Sequence, residues 1–137
     1  MIYLLDTSAV IAVLNDQLGV RRRLQLALTN GASVGVSSIV VSELRDGVAR
    51  SERRRENAER LRSFFSGPIN IVPFDEVDAE TAGELRAKLE TAGTPIGPYD
   101  VLIAAQALRI DATLVTANVR EFARVRGLTW ENWTAKA

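Results

Sequence analysis

The 137-residue sequence is 47% hydrophobic and 25% charged, proportions that fit one compact folded domain rather than a fibre or a disordered tail. It contains no Cys and no His, which removes thiolate nucleophiles, zinc sites built on thiolate or imidazole, and serine triads with an imidazole base. With 17 basic and 17 acidic residues the net charge is zero, so the strongly basic balance of a general nucleic-acid binder is missing, and carboxylates, hydroxyls, amides, Lys and Arg are left to carry chemistry.

In chain order, Ile2-Tyr3-Leu4-Leu5 is a short apolar run that ends at Asp6, and Thr7-Ser8 are placed to cap the helical pattern of Ala9, Val10, Ile11, Val13 and Leu14. The start lacks the basic region and long apolar stretch of a signal peptide, and no run approaches the ~20 apolar residues of a membrane span. A soluble, cytoplasmic chain is the expectation. Residues 32–36 form a second apolar segment that leads through Ser37-Ser38 into Ile39, Val40, Val41, Leu44 and Val48, repeating the order strand, Ser cap, helix. Residues 53–65 read as a charged helix with Leu61, Phe64 and Phe65 on its inner side, stopped by Gly67-Pro68. A short strand over 69–74 and a helix over 77–91 follow. Gly93-Thr94-Pro95-Ile96-Gly97-Pro98 holds too many breakers for either element, and Asp100 then begins an apolar helix through Leu108. Residues 112–116 form the last strand, followed by Ala117-Asn118 and a short polar helix around Glu121-Phe122. Trp130 and Trp133 are expected to pack the final segment onto the sheet rather than stack on bases, because neither sits in a basic run.

Strands alternating with helices at this spacing predict a single α/β domain over residues 1–137, a three-layer α/β/α arrangement around a central parallel sheet. In such sheets ligands bind outside the carboxyl ends of the strands, where Asp6 and Asn118 fall.

Of the 17 basic residues 15 are Arg, and the stretch from Arg21 to Arg62 holds ten Arg against five acids. Guanidinium forks suit phosphates, yet Arg runs beside Glu52, Glu56 and Glu59 also suit a solvated helix face with pairs three and four apart. From Asp75 to Glu90 the sign reverses, with six acids against Arg86 and Lys88.

Asp6 and Asp100 each stand where a carboxylate can cap a helix or serve a site. Glu43 is harder to place as a solvated residue. At ~100° per residue it projects between Ile39 and Val40, within the apolar arc of its helix, so its charge needs either an Arg partner or a metal ion that also uses Asp6 and Asp100. Without His or Cys such a metal site is all-oxygen, which selects Mg²⁺ or Mn²⁺, ions that commonly act on phosphates. No Gly-x-Gly-x-x-Gly and no Gly-x-x-x-x-Gly-Lys-Ser/Thr occurs, which withdraws support from dinucleotide and P-loop readings.

Four segments carry a family resemblance: Leu4-Leu5-Asp6-Thr7-Ser8; Ser37-Ser38-Ile39-Val40-Val41-Ser42-Glu43-Leu44; Gly93-Thr94-Pro95-Ile96-Gly97-Pro98-Tyr99-Asp100 with Ile103-Ala104-Ala105; and Leu114-Val115-Thr116-Ala117-Asn118-Val119-Arg120-Glu121-Phe122. In that order they resemble the PIN-domain toxins of the VapC family, and the likeness runs from about Met1 to Trp133. The resemblance implies a Mg²⁺-dependent endoribonuclease, Mn²⁺ being the substitute ion, that is the toxin half of a type II toxin-antitoxin pair. It also implies a homodimer, an RNA substrate, and a cognate antitoxin whose C-terminal segment covers the active site. Asp6 and Asp100 match metal-binding positions, and Glu43 matches the third acid of the catalytic cluster. The chain departs from the pattern at Asn118, where many PIN domains carry a fourth acid, and Glu121 is the nearest carboxylate. Asn118 and Glu121 are therefore the accessory candidates.

The leading reading is a nuclease in which Asp6, Glu43 and Asp100 hold the ion. Its rival is a PIN-fold binding or regulatory subunit with weak catalysis, a reading suggested by the amide at position 118. An aspartyl-phosphate phosphatase ranks last because it needs an acid two residues after the nucleophile, and position 8 is Ser.

Overall fold

β1 (Ile2–Leu5) is the middle strand of a five-stranded sheet in the computed structural model of the chain, which describes residues 1–134. The last three residues of the expected 1–137 domain lie outside the described residues. Across the sheet the order is β3 (Asn70–Val72), β2 (Ser33–Ser37), β1, β4 (Thr113–Val115) and β5 (Trp130–Glu131), and every pairing is parallel. Successive residues Leu4 and Leu5, and likewise Leu114 and Val115, are buried. Neighbouring side chains on a strand point to opposite faces, so the sheet is covered on both sides, which is the layered α/β fold the alternating elements predict.

The helices are α1 (Thr7–Leu14), α2 (Val20–Thr29), α3 (Ser38–Arg50), α4 (Arg54–Phe65), α5 (Glu76–Thr91), α6 (Pro98–Arg109) and the single turn α7 (Val119–Phe122). None of them is long and apolar enough to cross a membrane. Leu4 pairs with Gly35 on one side and with Leu114 on the other. Gly35 is required by contact rather than by backbone angle: a Cβ there would stand 2.8 Å from a methyl of Val72 on β3.

From β1 the chain builds outward through β2 to β3, then crosses back to add β4 and β5 on the other side of β1. The order reverses between β1 and β4, and ligands of open parallel sheets bind at the carboxyl end of such a reversal. Asp6 follows β1 and Thr116 follows β4, so both emerge at that crevice.

Several sequence expectations are refined. Thr7 and Ser8 do not cap α1; Asp6 does, its carboxylate accepting from the backbone N–H of Ala9. α6 begins at Pro98 with Gly97 as its N-cap, which places Asp100 in the first turn instead of at the start. α2 and the two-residue β5 were not anticipated, and Trp133, buried, packs edge-on against Tyr3 at 5.3 Å. The Arg-rich stretch divides by role. Arg50–Asp46, Arg53–Glu56 and Arg62–Glu59 form exposed pairs three or four apart. Arg21 and Arg60 instead donate to the C-terminal carbonyls of α1, Arg21 to Val13 and Leu14 at 2.8 Å each and Arg60 to Leu14 at 2.6 Å. Cations there answer both the unpaired carbonyls and the negative end of the helix dipole.

Candidate active site

Asp6 is held from three directions. Its Oδ1 accepts from the Ser8 hydroxyl at 2.6 Å and the Ala9 N–H at 2.9 Å, and its Oδ2 accepts from the Thr116 hydroxyl at 2.5 Å. The side chain is buried. Burial pushes its pKa up from the ordinary carboxylate value, while the hydrogen bonds from Ser8, Thr116 and the backbone oppose that rise. The two hydroxyls also join the turns on either side of the crevice: Ser8 accepts from Ala117 N–H at 3.0 Å and Thr116 from Asn118 N–H at 2.8 Å. Asp6 thus caps α1 and at the same time places its charge near enough to act on Asp100, so the cap does not exclude the other role that the sequence leaves open.

Glu43 is half-buried on α3, and its Oε1 accepts from the Thr7 hydroxyl at 2.9 Å. Among the described residues it forms no ion pair with Arg or Lys, so an Arg partner is not what holds this carboxylate.

Asp100 sits among carboxylates. Burial first, then the hydrogen bond it shares with Glu121, then the negative charges of Glu121, Asp6 and Glu43 push its pKa up to about 8. Glu121 moves the opposite way, stabilised as the anion mainly by accepting from Asp100. Two adjacent carboxylates resist simultaneous ionisation, so Asp100 is pushed towards its protonated form and Glu121 towards its anion. Asn118 bridges them: its amide N donates to Glu121 Oε2 at 2.9 Å and lies 3.5 Å from Asp100 Oδ2. Gly97 makes room, since a Cβ there would stand 3.2 Å from Asp100 Oδ2, and its N–H donates to Glu121 Oε1 at 3.2 Å.

All three expected acids thus meet at the sheet reversal, and Glu121 joins them as a fourth. As the side chains stand, no three carboxylates among the described residues converge closely enough to ligate a single ion. The donor set is nonetheless suited to a hard divalent cation: every donor is oxygen, and besides burial and the Glu121 hydrogen bond the charges of Glu121, Asp6 and Glu43 all act on Asp100.

Thr7, Ser8, Thr116, Gly97 and Arg124 are parts of this arrangement that sequence reasoning did not single out. For Thr116 the available signal was its place at the carboxyl end of the last confident strand, opposite Asp6. Two further concavities lie nearby. One, of about 1010 Å³, is lined by apolar Val13, Leu14 and Phe64 and by Arg21, Arg55 and Arg60 among its polar residues. A smaller one, of about 230 Å³, lies beside it and reaches Thr7 and Glu43, with Leu14 and Arg60 shared between the two.

Known proteins share this fold and sequence. The family model described as PIN domain matches residues 3–128. The chain is 39% identical to a protein of Rickettsia felis named Ribonuclease VapC2, over 97% of this chain and 98% of the relative. It is 34% identical to the tRNA(fMet)-specific endonuclease VapC of Shigella flexneri, over 96% and 98% of the two chains. Among solved structures, a chain of VapBC2 from Rickettsia felis, bound to a DNA fragment from the promoter, superposes with a TM-score of 0.91 at 37% identity, covering 97% of this chain and 99% of that one.

Proposed function

The chain belongs to the VapC ribonucleases of the PIN-domain family, and on that premise we propose that it is the toxin of a type II toxin-antitoxin system, an endoribonuclease that hydrolyses RNA phosphodiester bonds with Mg²⁺ at Asp6, Glu43 and Asp100. The observation that carries the reading is the meeting of Asp6, Glu43, Asp100 and Glu121, from four separate segments of the chain, at the carboxyl end of the β1/β4 reversal. Asp6, Glu43 and Asp100 would hold the ion, with Glu121 and Asn118 as accessory groups and Mn²⁺ as the substitute metal. When bound, such an ion supplies Lewis-acid stabilisation for the charge that builds up on an attacked phosphodiester.

The protein's own groups have separate tasks. Ser8, Thr116 and the Ala9 N–H fix both oxygens of Asp6 and favour its anion. Thr7 fixes Glu43. Asn118 donates toward both Glu121 and Asp100, so it orients two carboxylates without adding charge. Glu121 restores a fourth negative group next to Asp100, which supports the nuclease over a weakly catalytic binding subunit.

A single PIN domain over residues 1–137, working as a homodimer, completes the proposal. A cognate antitoxin, as in the VapBC complexes this chain resembles, would cover the acidic site. The relative from Shigella flexneri is named for a tRNA, which makes a tRNA pool the first substrate to try.

The deciding experiment incubates purified, antitoxin-free protein with bulk tRNA in Mg²⁺, with EDTA and Asp100→Asn as parallel arms. Discrete fragments that vanish in both arms are expected. Fragments that survive Asp100→Asn remove that residue from the mechanism, and tight antitoxin binding without cleavage of any RNA favours the binding-subunit reading.

A further inference from the structure

We infer that Arg124 is a positioning residue of the carboxylate centre, which together with Glu121 straps the Gly93-to-Pro98 loop against the turn after α7 and so sets where Asp100 stands. Only the activity arm of its test rests on the ribonuclease reading.

The loop has few means of holding itself. Two of its six residues are Pro and lack an N–H, and two are Gly. Thr94 N–H donates back to Leu89 at 2.9 Å and ends the exit from α5. Beyond that point Ile96 packs against the core, and two side chains from one place tie the backbone: Arg124 Nη1 donates to the Pro95 carbonyl at 2.7 Å, and Gly97 N–H donates to Glu121 Oε1 at 3.2 Å. Glu121 and Arg124 are three residues apart on one helical turn, where Arg124 N–H donates to the Glu121 carbonyl at 3.1 Å, so both side chains leave the same face.

That turn is itself firmly seated. Phe122 is fully buried and Val125 nearly so, which anchors the opposite face in the core. The far end of the strap reaches the site directly, because Gly97 caps α6 and accepts from Val101 N–H at 3.0 Å, with Asp100 in the turn between them. A loop that slides at Pro95 therefore shifts the first turn of α6. Arg124 points its guanidinium at a carbonyl of the chain, and its positive charge also acts on Glu121, the partner of Asp100.

The test compares wild type, Arg124→Ala, Arg124→Lys and, as a control, the exposed Arg120→Ala. Amide exchange at Ile96 and Gly97 is read by NMR in metal-free protein, and kcat and KM are read for RNA cleavage in Mg²⁺. Arg124→Ala is expected to speed exchange at Gly97 about tenfold while core amides keep their protection. Its kcat should fall about tenfold with KM within about twofold, the pattern of a misplaced catalytic group rather than lost substrate binding. Lys, which offers one donor to the Pro95 carbonyl, should restore most of both, and Arg120→Ala should match wild type. Unchanged Gly97 exchange in Arg124→Ala overturns the inference. So does a raised KM with unchanged kcat, which assigns Arg124 to RNA phosphate. If wild type cleaves no RNA, the ribonuclease reading fails, and the exchange data alone still decide whether the strap exists.

Discussion

Thr116 donates its hydroxyl to Asp6 Oδ2 at 2.5 Å across the point where the sheet changes direction, and Thr116 Oγ1 accepts from Asn118 N–H at 2.8 Å. One buried hydroxyl thereby couples the acid after β1 to the turn that carries Asn118 and Glu121. Thr116→Val keeps the shape and removes the donor, leaving one oxygen of a buried carboxylate without its partner. Leaving such a group unpaired costs roughly 1–3 kcal/mol, so the urea midpoint should fall accordingly. Cleavage should fall further, by about ten- to a hundredfold, because Asp6 loses both a partner and its aim. Activity equal to wild type at a lowered midpoint would confine Thr116 to stability.

The raised pKa of Asp100 sets a pH dependence for the metal-free protein. An unfolded Asp titrates near 3.8 and this one near 8, so between those values the folded state holds a proton that the unfolded state has lost. Stability from this group is highest below pH 3.8 and declines as pH rises toward about 8. In EDTA, Asp100→Asn should flatten that decline and raise the urea midpoint of the variant above wild type at pH 8. Mg²⁺ should stabilise wild type more at pH 8 than at pH 5, because binding a cation and binding the proton compete. An identical pH slope in the two proteins would remove the raised pKa of Asp100 from the account.

Away from the site, Asp78 is fully buried, ion-paired with Arg109, and reciprocates the N-terminal cap of α5 with Asp75. Removing one partner of a buried pair strands the other charge, at a cost of about 3–5 kcal/mol in fully buried cases. Arg109→Met leaves the buried Asp78 carboxylate without its ion pair, so the urea midpoint should fall. Folded Arg109→Met should cleave RNA at the wild-type rate. A loss of turnover without a loss of stability would tie this pair to the site.

Gly35→Ala should destabilise by about 1–3 kcal/mol, because the new methyl meets Val72 Cγ2 at 2.8 Å. Val72→Ala removes the obstacle, so the double variant should be more stable than the sum of the two single changes predicts. Strict additivity in a double-mutant cycle would place the strain elsewhere.

How far these relationships were legible depends on their range in the chain. Asp6, Glu43 and Asp100 were visible because each sits at a local irregularity: a strand end, an apolar helix face, a helix start after a Pro-rich loop. Thr116 was not, since its partner lies 110 residues away and a Thr ending a strand is unremarkable by itself. α2 was hidden by Arg21-Arg22-Arg23, which draw attention to charge, although Val20 is buried and Leu24, Ala27 and Leu28 pack against the core from the same helix. β5 spans two residues, too few for alternation to register, and only its pairing with β4 defines it. Arg124 reads as one more surface cation until the Pro95 carbonyl is brought to it.

The strand order also dictates when the centre comes into being. Asp6 is synthesised 110 residues before the hydroxyl that aims it, and the β4 strand on its far side comes only at residues 113–115. A growing chain can pair β1 with β2 early, but the four acids have no common site until β4 and α7 have followed. During translation the carboxylates are scattered along an incomplete sheet, and they gather only once β4 is added beside β1.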